Sequence, residues 1–424
     1  MLAKKMNFES KQQIYNFFTV ILSGQIIYSA FEAFKGSFYN LLMETLNVNN
    51  TQMGTLFSLI GVAMFFYIPG GWVNNRFPVK KILLVSLGSR FITTMIILIF
   101  TPKFFILCII AFIWGVTDAV FWPAVVNGVL LASNEKNRGM AFGMLESVRR
   151  AVEIGMNLLI VGMMTLLGGT LLIFKSAMLV YTILILPMMY LVYRFVPNNQ
   201  LEEKENESKN LTALKGVITI LKMPKVWLAS LTALTVYWCY INLIFTVPYL
   251  QAVFHISTSQ AAVFGVINTG LMGVICGIVS GTLSDYLFKS SLKMMLVSLG
   301  LTVVALITVI FLPKTEAMLW INIVMLAIFS FSLFLAKGVI LAPLAELNLP
   351  EEIQGSAMSI GSFATYASVF WAYALNGRII DANKTNPIKA YETIFLIGAT
   401  VAIVGAIFAI LLLIIKKREK NLTK

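Results

Sequence analysis

Twelve apolar blocks, each long enough to cross a membrane, run through this chain from end to end. A spanning helix needs about 20 predominantly apolar residues because it must cover the hydrocarbon core of the bilayer. With 424 residues, of which 58% are hydrophobic and 12% charged, the chain has room for twelve spans and little else. The blocks lie near residues 14–43, 51–74, 82–101, 104–132, 140–167, 171–196, 226–253, 259–284, 293–312, 317–345, 355–377 and 391–415. Because a helix satisfies its own backbone in lipid, the pattern predicts an all-α integral membrane protein.

The one long hydrophilic stretch, residues 197–225, lies at the middle of the chain. It divides the blocks into two sets of six. We therefore predict an N-terminal six-helix bundle at 1–196, a cytoplasmic linker at 197–225, and a C-terminal six-helix bundle with a short basic tail at 226–424.

The net charge of +13 comes from lysines and arginines in short loops and tails. Basic residues cluster at 4–11, 76–81, 136–138, 289–293 and 416–420, which an even number of spans places on one side. Positive loops stay on the cytoplasmic side of a membrane. The pattern predicts a multi-pass protein of the bacterial inner (plasma) membrane with both termini cytoplasmic. It favours contact with anionic membrane lipid and argues against nucleic-acid binding.

The sequence has few of the side chains that disulfide formation, metal binding or nucleotide binding would need. The cysteines, Cys108, Cys239 and Cys276, all fall in apolar blocks and show no disulfide or metal-binding spacing. His255 is the only histidine, and the sequence has no phosphate-binding loop of the Gly-x-x-x-x-Gly-Lys-Ser/Thr type. We therefore expect no metal, no cofactor and no enzymatic activity.

Nine charged residues nevertheless lie more than five residues from either end of an apolar block. An ionised side chain at the bilayer centre costs several kcal/mol unless it is paired or lines a polar cavity. So many of them in one chain indicate a pathway for a polar solute. They are Glu32, Lys35, Arg90, Asp118, Glu146, Arg149, Arg150, Glu153 and Lys337.

Four of these charges share one face of the fifth block. Glu146, Arg149, Arg150 and Glu153 are spaced i, i+3, i+4 and i+7, which places them together on a helix at about midplane depth. We predict Arg149 and Arg150 as anion contacts, because a guanidinium binds a carboxylate or phosphate through two parallel hydrogen bonds. The alternative is that the pairs Glu146–Arg150 and Arg149–Glu153 neutralise each other and only fix helix packing.

The remaining charges have both local and functional interpretations. Glu32 is expected to pair with Lys35 on the first span, and Arg90 to extend back to the cytoplasmic headgroups. Asp118 is expected to pair with an arginine of the fifth span or to face Lys337. Lys337 is a further substrate-contact candidate. The predicted substrate-binding set also contains Tyr28, Trp122 and Tyr366, and the predicted proton-coupling set is Glu146, Glu153, Asp118 and Glu32.

Two loops repeat at an offset of about half the chain. After the second block the sequence reads Gly-Trp-Val-Asn-Asn-Arg, and after the eighth it reads Gly-Thr-Leu-Ser-Asp-Tyr with a lysine beyond. Each loop has a glycine, three residues, Asn or Asp, and then a basic residue. The positions are Gly71, Asn75 and Arg76 in the first half and Gly281, Asp285 and Lys289 in the second. Parallel repeats of six spans are one build of secondary transporters.

These features resemble the major facilitator superfamily over essentially the whole chain. The resemblance implies twelve helices in two pseudo-symmetric bundles. It also implies that the two repeated loops gate the cytoplasmic side. The first loop departs from the family in having Asn75 where Asp is usual.

The chain is most similar to the organophosphate:phosphate antiporter branch, on residues 24–38, Phe121-Trp122-Pro123, Arg138-Gly139, residues 246–250 and residues 281–289. That resemblance implies one substrate arginine on the first span and one on the seventh. Glu32 and about Cys239 occupy those positions here. The branch has a histidine where this chain has Arg149, which suggests that positive charge has moved to the fifth span.

The sequence therefore predicts a secondary transporter that carries a small organic anion by alternating access, as a proton symporter and a monomer. A buried carboxylate can carry the coupling proton because burial favours its neutral form. An organophosphate/phosphate antiporter is the first alternative. A lipid or drug carrier, and a transporter-like solute receptor, remain further alternatives.

Overall fold

All the regular structure of the described chain is helical. A computed structural model of the protein describes residues 8, 10–66, 70, 73–74, 76–132, 138–198, 219–347 and 349–422, and these residues contain no β-strand. The α-helices are α1 (Lys11–Ser29), α2 (Tyr39–Leu46), α3 (Asn50–Gly61), α4 (Val79–Phe100), α5 (Phe104–Ala132), α6 (Arg138–Leu167), α7 (Leu171–Ile183), α8 (Ile185–Phe195), α9 (Pro224–Ile244), α10 (Thr246–Phe254), α11 (Thr258–Gly265), α12 (Met272–Thr282), α13 (Ser291–Phe311), α14 (Leu319–Gly338), α15 (Ala342–Ala345), α16 (Glu351–Tyr366), α17 (Ala372–Ala382) and α18 (Pro387–Leu422).

Nine helical segments within the described residues are long and apolar enough to cross a membrane. They correspond to the third to tenth apolar blocks and the twelfth. The first, second and eleventh blocks contain shorter α-helices instead. Helix α3 has 12 residues and α16 has 16, and each continues as a 3₁₀ turn. These three blocks are therefore helical in sections.

The first block is broken where one of its charges lies. Helix α1 ends at Ser29, and the chain forms a single 3₁₀ turn at Glu32–Phe34 before α2 begins at Tyr39. Backbone groups at membrane depth need partners inside the protein. Asn157 of α6 supplies one, because its Nδ2 donates to the Ala33 carbonyl at 3.3 Å. The break presents Glu32 from a turn rather than from a helix face.

The chain separates into two compact units. The N-terminal unit comprises Met1–Glu203 together with Ser257–Val266, and the C-terminal unit comprises Lys204–Ile256 and Ile267–Lys424. Residues 257–266 group with the first unit because Gly265 packs directly on its backbone. A Cβ atom at Gly265 would lie 2.6 Å from the Gly36 carbonyl oxygen.

Each unit has its own apolar core. In the N-terminal unit, α1, α4, α5 and α8 contribute residues such as Phe17, Leu83, Phe121 and Ile185, all fully buried. In the C-terminal unit, α9, α13 and α18 contribute Ala229, Leu292 and Ala409. The packing of these cores fixes the positions of the helices that carry the polar side chains.

Candidate functional site

Arg90 is the centre of a buried charge cluster in the N-terminal unit. It lies on α4, and its guanidinium donates to Glu32 Oε1 at 2.6 Å and to Asp118 Oδ1 at 3.1 Å. The side chain of Arg90 is 1% exposed, and those of Glu32 and Asp118 are 15% and 13% exposed. Three spans that are distant in sequence are thus joined by one cation. We call these three residues the Arg90 cluster.

Aromatic and hydroxyl groups fix the position of this arginine. The Trp114 ring lies 4.3 Å from the guanidinium carbon, and Trp114 Nε1 donates to Thr93 Oγ1 at 2.7 Å. Such a ring contact stabilises a desolvated cation by about 2 kcal/mol. The expectation that Arg90 extends to the headgroups is therefore wrong, because two carboxylates and a ring hold it inside the protein.

The two carboxylates also differ from their expected pairings. Glu32 was expected to pair with Lys35, but its ion pair in the structure is with Arg90. Asp118 was expected to pair with a fifth-span arginine, but it also binds Arg90. With both carboxylates ionised, the Arg90 cluster carries one net negative charge. Glu32 Oε2 and Arg90 Nε are buried and have no hydrogen-bond partner among the described residues.

Arg149 of α6 is held against α1 and α5. Its Nε donates to the Gly24 carbonyl at 3.0 Å, and its guanidinium carbon lies 4.4 Å from the centre of the Trp122 ring. Gly24 permits the close approach of Val125 of α5, since a Cβ atom there would lie 3.1 Å from Val125 Cγ1, whereas Arg149 Cδ at 3.7 Å would be an ordinary contact. The bond and the ring contact together fix the plane of the guanidinium.

Tyr28 connects the two arginines. Its ring centre lies 5.8 Å from the guanidinium carbon of Arg90 and 6.0 Å from that of Arg149. The structure thus brings Tyr28, Trp122 and Arg149 together, three of the residues predicted to bind substrate, and places the Arg90 cluster beside them.

The other charges of α6 form a more exposed pair. Arg150 donates to Glu153 at 3.0 Å, with side chains 35% and 23% exposed. This is an i, i+3 pair, and the expected Glu146–Arg150 pair falls on a side chain that is not described. The side chain of Glu146 lies outside the described part of the structure.

The C-terminal unit has an aromatic group around one lysine. Lys337 Nζ, near the end of α14, lies 4.0 Å from the Tyr240 ring centre and 5.4 Å from that of Phe334. Tyr366 of α16 meets the Tyr237 ring edge-on at 4.7 Å, and Tyr237 lies 5.4 Å from Tyr240. Lys337 and Tyr366 therefore belong to one connected aromatic group, which we call the Lys337 group.

Two buried polar contacts elsewhere in this unit join neutral groups. Asn376 Nδ2 donates to Asn242 Oδ1 at 2.7 Å, and Asn268 Nδ2 donates to Thr246 Oγ1 at 3.2 Å. Asn268 lies in a π-helical turn, Val266–Leu271, between α11 and α12. Such turns inside a helix are frequent at functional sites.

The predicted gating residues are described only in part. Gly71 and Asn75 lie outside the described residues, and Arg76 is exposed. Gly281 lies in α12, Asp285 in the π-helical turn Leu283–Phe288, and the exposed Lys289 ends that turn with φ of 50°. The side chain of Asp285 is not described.

Sequence reasoning missed the role of Arg90 and its partner Trp114. The sequence did show one deeply placed arginine, Arg90, and two carboxylates on other spans that had no certain partner. It could not assign partners, because helical spacing relates only residues on the same helix.

A family model described as Major Facilitator Superfamily matches residues 21–373. The chain is also similar to two proteins of Escherichia coli (strain K12). "Inner membrane protein YihN" is 25% identical over 420 residues, covering 96% of this chain and 97% of that protein. "Inner membrane protein YqcE" is 23% identical over 388 residues, covering 88% of each.

Two solved structures share the fold. The crystal structure of the nucleoside transporter NupG aligns with a TM-score of 0.73 and 13% identity, covering 95% of this chain and 99% of that one. A bacterial homolog of the human lysosomal transporter Spinster, inward-facing and unoccupied, aligns with a TM-score of 0.70 and 15% identity, covering 95% and 97%. These matches confirm the fold class predicted from the sequence, an all-α membrane protein of twelve helices in two six-helix bundles.

Proposed function

The chain belongs to the major facilitator superfamily and is a secondary transporter rather than an enzyme; from that premise, we propose that it carries a small organic anion together with a proton. The observation that most supports this proposal is the placement of Tyr28 against both Arg149 and Arg90. One arginine would bind the anion, and the cluster around the other would bind the proton.

Arg149 is the proposed anion contact. Its guanidinium plane is fixed by the Gly24 carbonyl and by the Trp122 ring. A guanidinium with a fixed plane loses little conformational freedom on binding, and its planar fork matches a carboxylate or a phosphate. Arg150 is the secondary candidate, because its pair with Glu153 is more exposed.

The Arg90 cluster is the proposed proton site. A cluster of two carboxylates and one guanidinium is neutral only when it holds one additional proton. Burying an uncompensated charge is costly, so the surroundings favour uptake of that proton. Glu32 and Asp118 would share it. Glu153 ranks lower as a proton carrier because Arg150 already balances its charge.

The two sites would be coupled through their proximity. An anion on Arg149 makes the region around Tyr28 more negative, and this favours protonation of the Arg90 cluster. Coupling between two binding events is reciprocal, so low pH should also tighten anion binding. The expected result is symport.

The Lys337 group is proposed to supply the substrate contacts of the C-terminal unit. Lys337 offers a positive charge, and Tyr240, Tyr237 and Tyr366 offer ring faces and hydroxyl groups. A substrate that combines a carboxylate or phosphate with an apolar or sugar-like face fits this chemistry.

Orientation and gating follow from the same proposal. We place the protein in the bacterial inner membrane, in agreement with the names of its E. coli relatives, as a monomer with cytoplasmic termini and a cytoplasmic 197–225 linker. The loops at Gly71, Asn75 and Arg76 and at Gly281, Asp285 and Lys289 would gate its cytoplasmic side.

Orientation can be tested with an impermeant thiol reagent on intact cells. In a variant without Cys108, Cys239 and Cys276, Thr385→Cys should react from outside and Asn421→Cys should react only after lysis. Labelling of Asn421→Cys from outside would reject cytoplasmic termini.

The substrate class can be found by a thermal-shift screen of the purified protein. Sugar acids, simple carboxylates, sugar phosphates, nucleosides and lysolipids would be compared. A ligand at 100 times its dissociation constant should stabilise the protein by about 2.7 kcal/mol. Stabilisation by nucleosides or lysolipids alone would contradict an anionic substrate.

Transport of the best ligand would then be measured in proteoliposomes. Uptake should accelerate with an inward proton gradient, and Arg149→Lys should raise the apparent KM about tenfold because lysine lacks the planar fork. Arg378→Lys, at an exposed position of α17, is the matched control and should behave as wild type. Uptake that ignores the gradient but needs internal phosphate would replace symport with organophosphate/phosphate antiport.

A further inference from the structure

A cavity whose lining shares no residue with the Arg90 cluster lies in the N-terminal unit. Its volume is about 410 Å³, and it is lined by Ser10, Gln12, Asn16, Lys80, Arg194 and their neighbours. We propose that this cavity binds the phosphate-containing headgroup of an anionic phospholipid. The beginning of α1, the beginning of α4 and the end of α8 form it.

The charges of this cavity favour an anion. Lys80 and Arg194 form no ion pair with a carboxylate in the described part of the chain. Helices α1 and α4 both begin here, and the N-terminus of a helix attracts negative charge. Two cations and two helix N-termini thus point to a phosphate group.

The framework of the cavity is fixed by hydrogen bonds between helices. Gln12 Nε2 donates to the Phe195 carbonyl at 3.3 Å, and Gln13 Nε2 donates to the Ala132 carbonyl at 3.2 Å. These bonds join the first turn of α1 to the ends of α8 and α5. The cavity is therefore built into the fold and does not depend on mobile side chains alone.

One buried acceptor in the lining has no protein partner. Asn16 is 7% exposed, and its Oδ1 has no hydrogen-bond partner among the described residues. A bare phosphate diester cannot donate to this atom. The hydroxyl groups of a phosphoglycerol headgroup can, once the Asn16 side chain turns to open this atom to the cavity, so phosphate and glycerol together suit the lining better than phosphate alone.

The rim of the cavity indicates that the ligand comes from the membrane. Tyr193 is 65% exposed and Tyr15 is 51% exposed. The ammonium of Lys80 lies 4.8 Å from the Tyr193 ring centre, and Tyr15 packs against Phe195 at 5.0 Å. Tyrosine prefers the boundary between hydrocarbon and headgroups, and basic pockets between spans bind anionic headgroups there. These preferences support placing the cavity at the level of the phospholipid headgroups.

The test compares lipid retention in nanodiscs of phosphatidylcholine alone with nanodiscs of equal parts phosphatidylcholine and phosphatidylglycerol. Bound phosphatidylglycerol would be counted by native mass spectrometry after mild detergent release. Lys80→Gln with Arg194→Gln should weaken its binding about 25-fold, or about fivefold for each charge removed. Lys81→Gln with Lys417→Gln removes the same charge from exposed positions outside the cavity and should match wild type.

Two further measurements test the location of the site and the identity of its ligand. Asn16→Asp, which adds a negative charge while keeping the shape, should also weaken phosphatidylglycerol binding. Inorganic phosphate and glycerol phosphate would be added to wild-type protein in phosphatidylcholine, and neither should stabilise it as phosphatidylglycerol does. Equal lipid retention in the cavity variant and the control variant would overturn the site. Stabilisation by soluble phosphate equal to that by lipid would overturn the lipid as its ligand.

Discussion

The two units provide partners for their buried polar side chains in different ways. In the N-terminal unit, a buried polar cluster joins charges, with Arg90 held by Glu32 and Asp118. In the C-terminal unit, buried contacts such as Asn242 with Asn376, and Tyr249 with Asn322 at 3.0 Å, join neutral side chains. Both arrangements connect helices in a medium that offers few other partners.

The difference between charged and neutral contacts determines whether a unit can respond to protonation. A hydrogen bond between neutral amide side chains contains no group that gains or loses a proton during a transport cycle. It therefore serves only to hold helices together. A cluster with two carboxylates and one arginine can change its net charge by gaining or losing a proton. We therefore interpret the N-terminal unit as the responsive half and the C-terminal unit as the more constant one. The following substitutions test that contrast.

The largest effect is expected from removing the central cation. Arg90→Met should lower the free energy of unfolding by about 3–5 kcal/mol, because it leaves two carboxylates in a buried site without their partner. Denaturant unfolding in detergent measures this loss. The triple variant Arg90→Met, Glu32→Gln, Asp118→Asn should recover most of it. An equally unstable triple variant would show that packing of the arginine, and not charge balance, holds the site.

A smaller effect is expected from the equivalent change in the C-terminal unit. Asn376→Leu should lower the free energy of unfolding by about 1–3 kcal/mol, because it leaves Asn242 Oδ1 without its donor. The pH dependence of substrate binding should be unchanged, since no charge is altered. A shifted pH profile would show that this network takes part in proton coupling, against the contrast drawn above.

Lys337→Met tests the one cation of the Lys337 group. The loss of its ring contacts should cost about 1 kcal/mol of stability, within the range for a cation over an aromatic ring. Affinity for the anion should fall more than stability does, and binding isotherms measure it. Lys384→Met, at an exposed position, is the control. Unchanged affinity in Lys337→Met would remove Lys337 from the proposed substrate contacts.

The smallest effect on stability is expected from Asp118→Asn. The Arg90 cluster then holds one cation and one carboxylate, which balance without a proton. Substrate exchange across liposomes should persist, while acceleration by an inward proton gradient should disappear. Glu32→Gln is the parallel variant. Gradient-driven uptake retained in both would place the coupling proton elsewhere, with Glu146 and Glu153 as the remaining candidates.

Much of the fold could be predicted from local pattern. The apolar blocks gave the helices, and helical spacing agrees with the Arg150–Glu153 contact on α6. The spacing also identified Arg149 as a residue facing neighbouring spans. The interruption at residues 30–38 was not predicted, because the stretch contains no proline and apolar residues continue on both sides of Glu32, Lys35, Gly36 and Ser37.

By itself, the sequence determined that the chain is a helical membrane protein with costly charges in its interior and a superfamily signature in its repeated loops. Only the tertiary structure decided which charges meet. Arg90 binds Glu32 and Asp118, 58 and 28 residues away. Helical periodicity places residues on a face of their own helix, but the choice of partner depends on how α4, α5 and the 3₁₀ turn at Glu32 pack. That choice made Arg90 the centre of the cluster and placed Arg149 beside Tyr28.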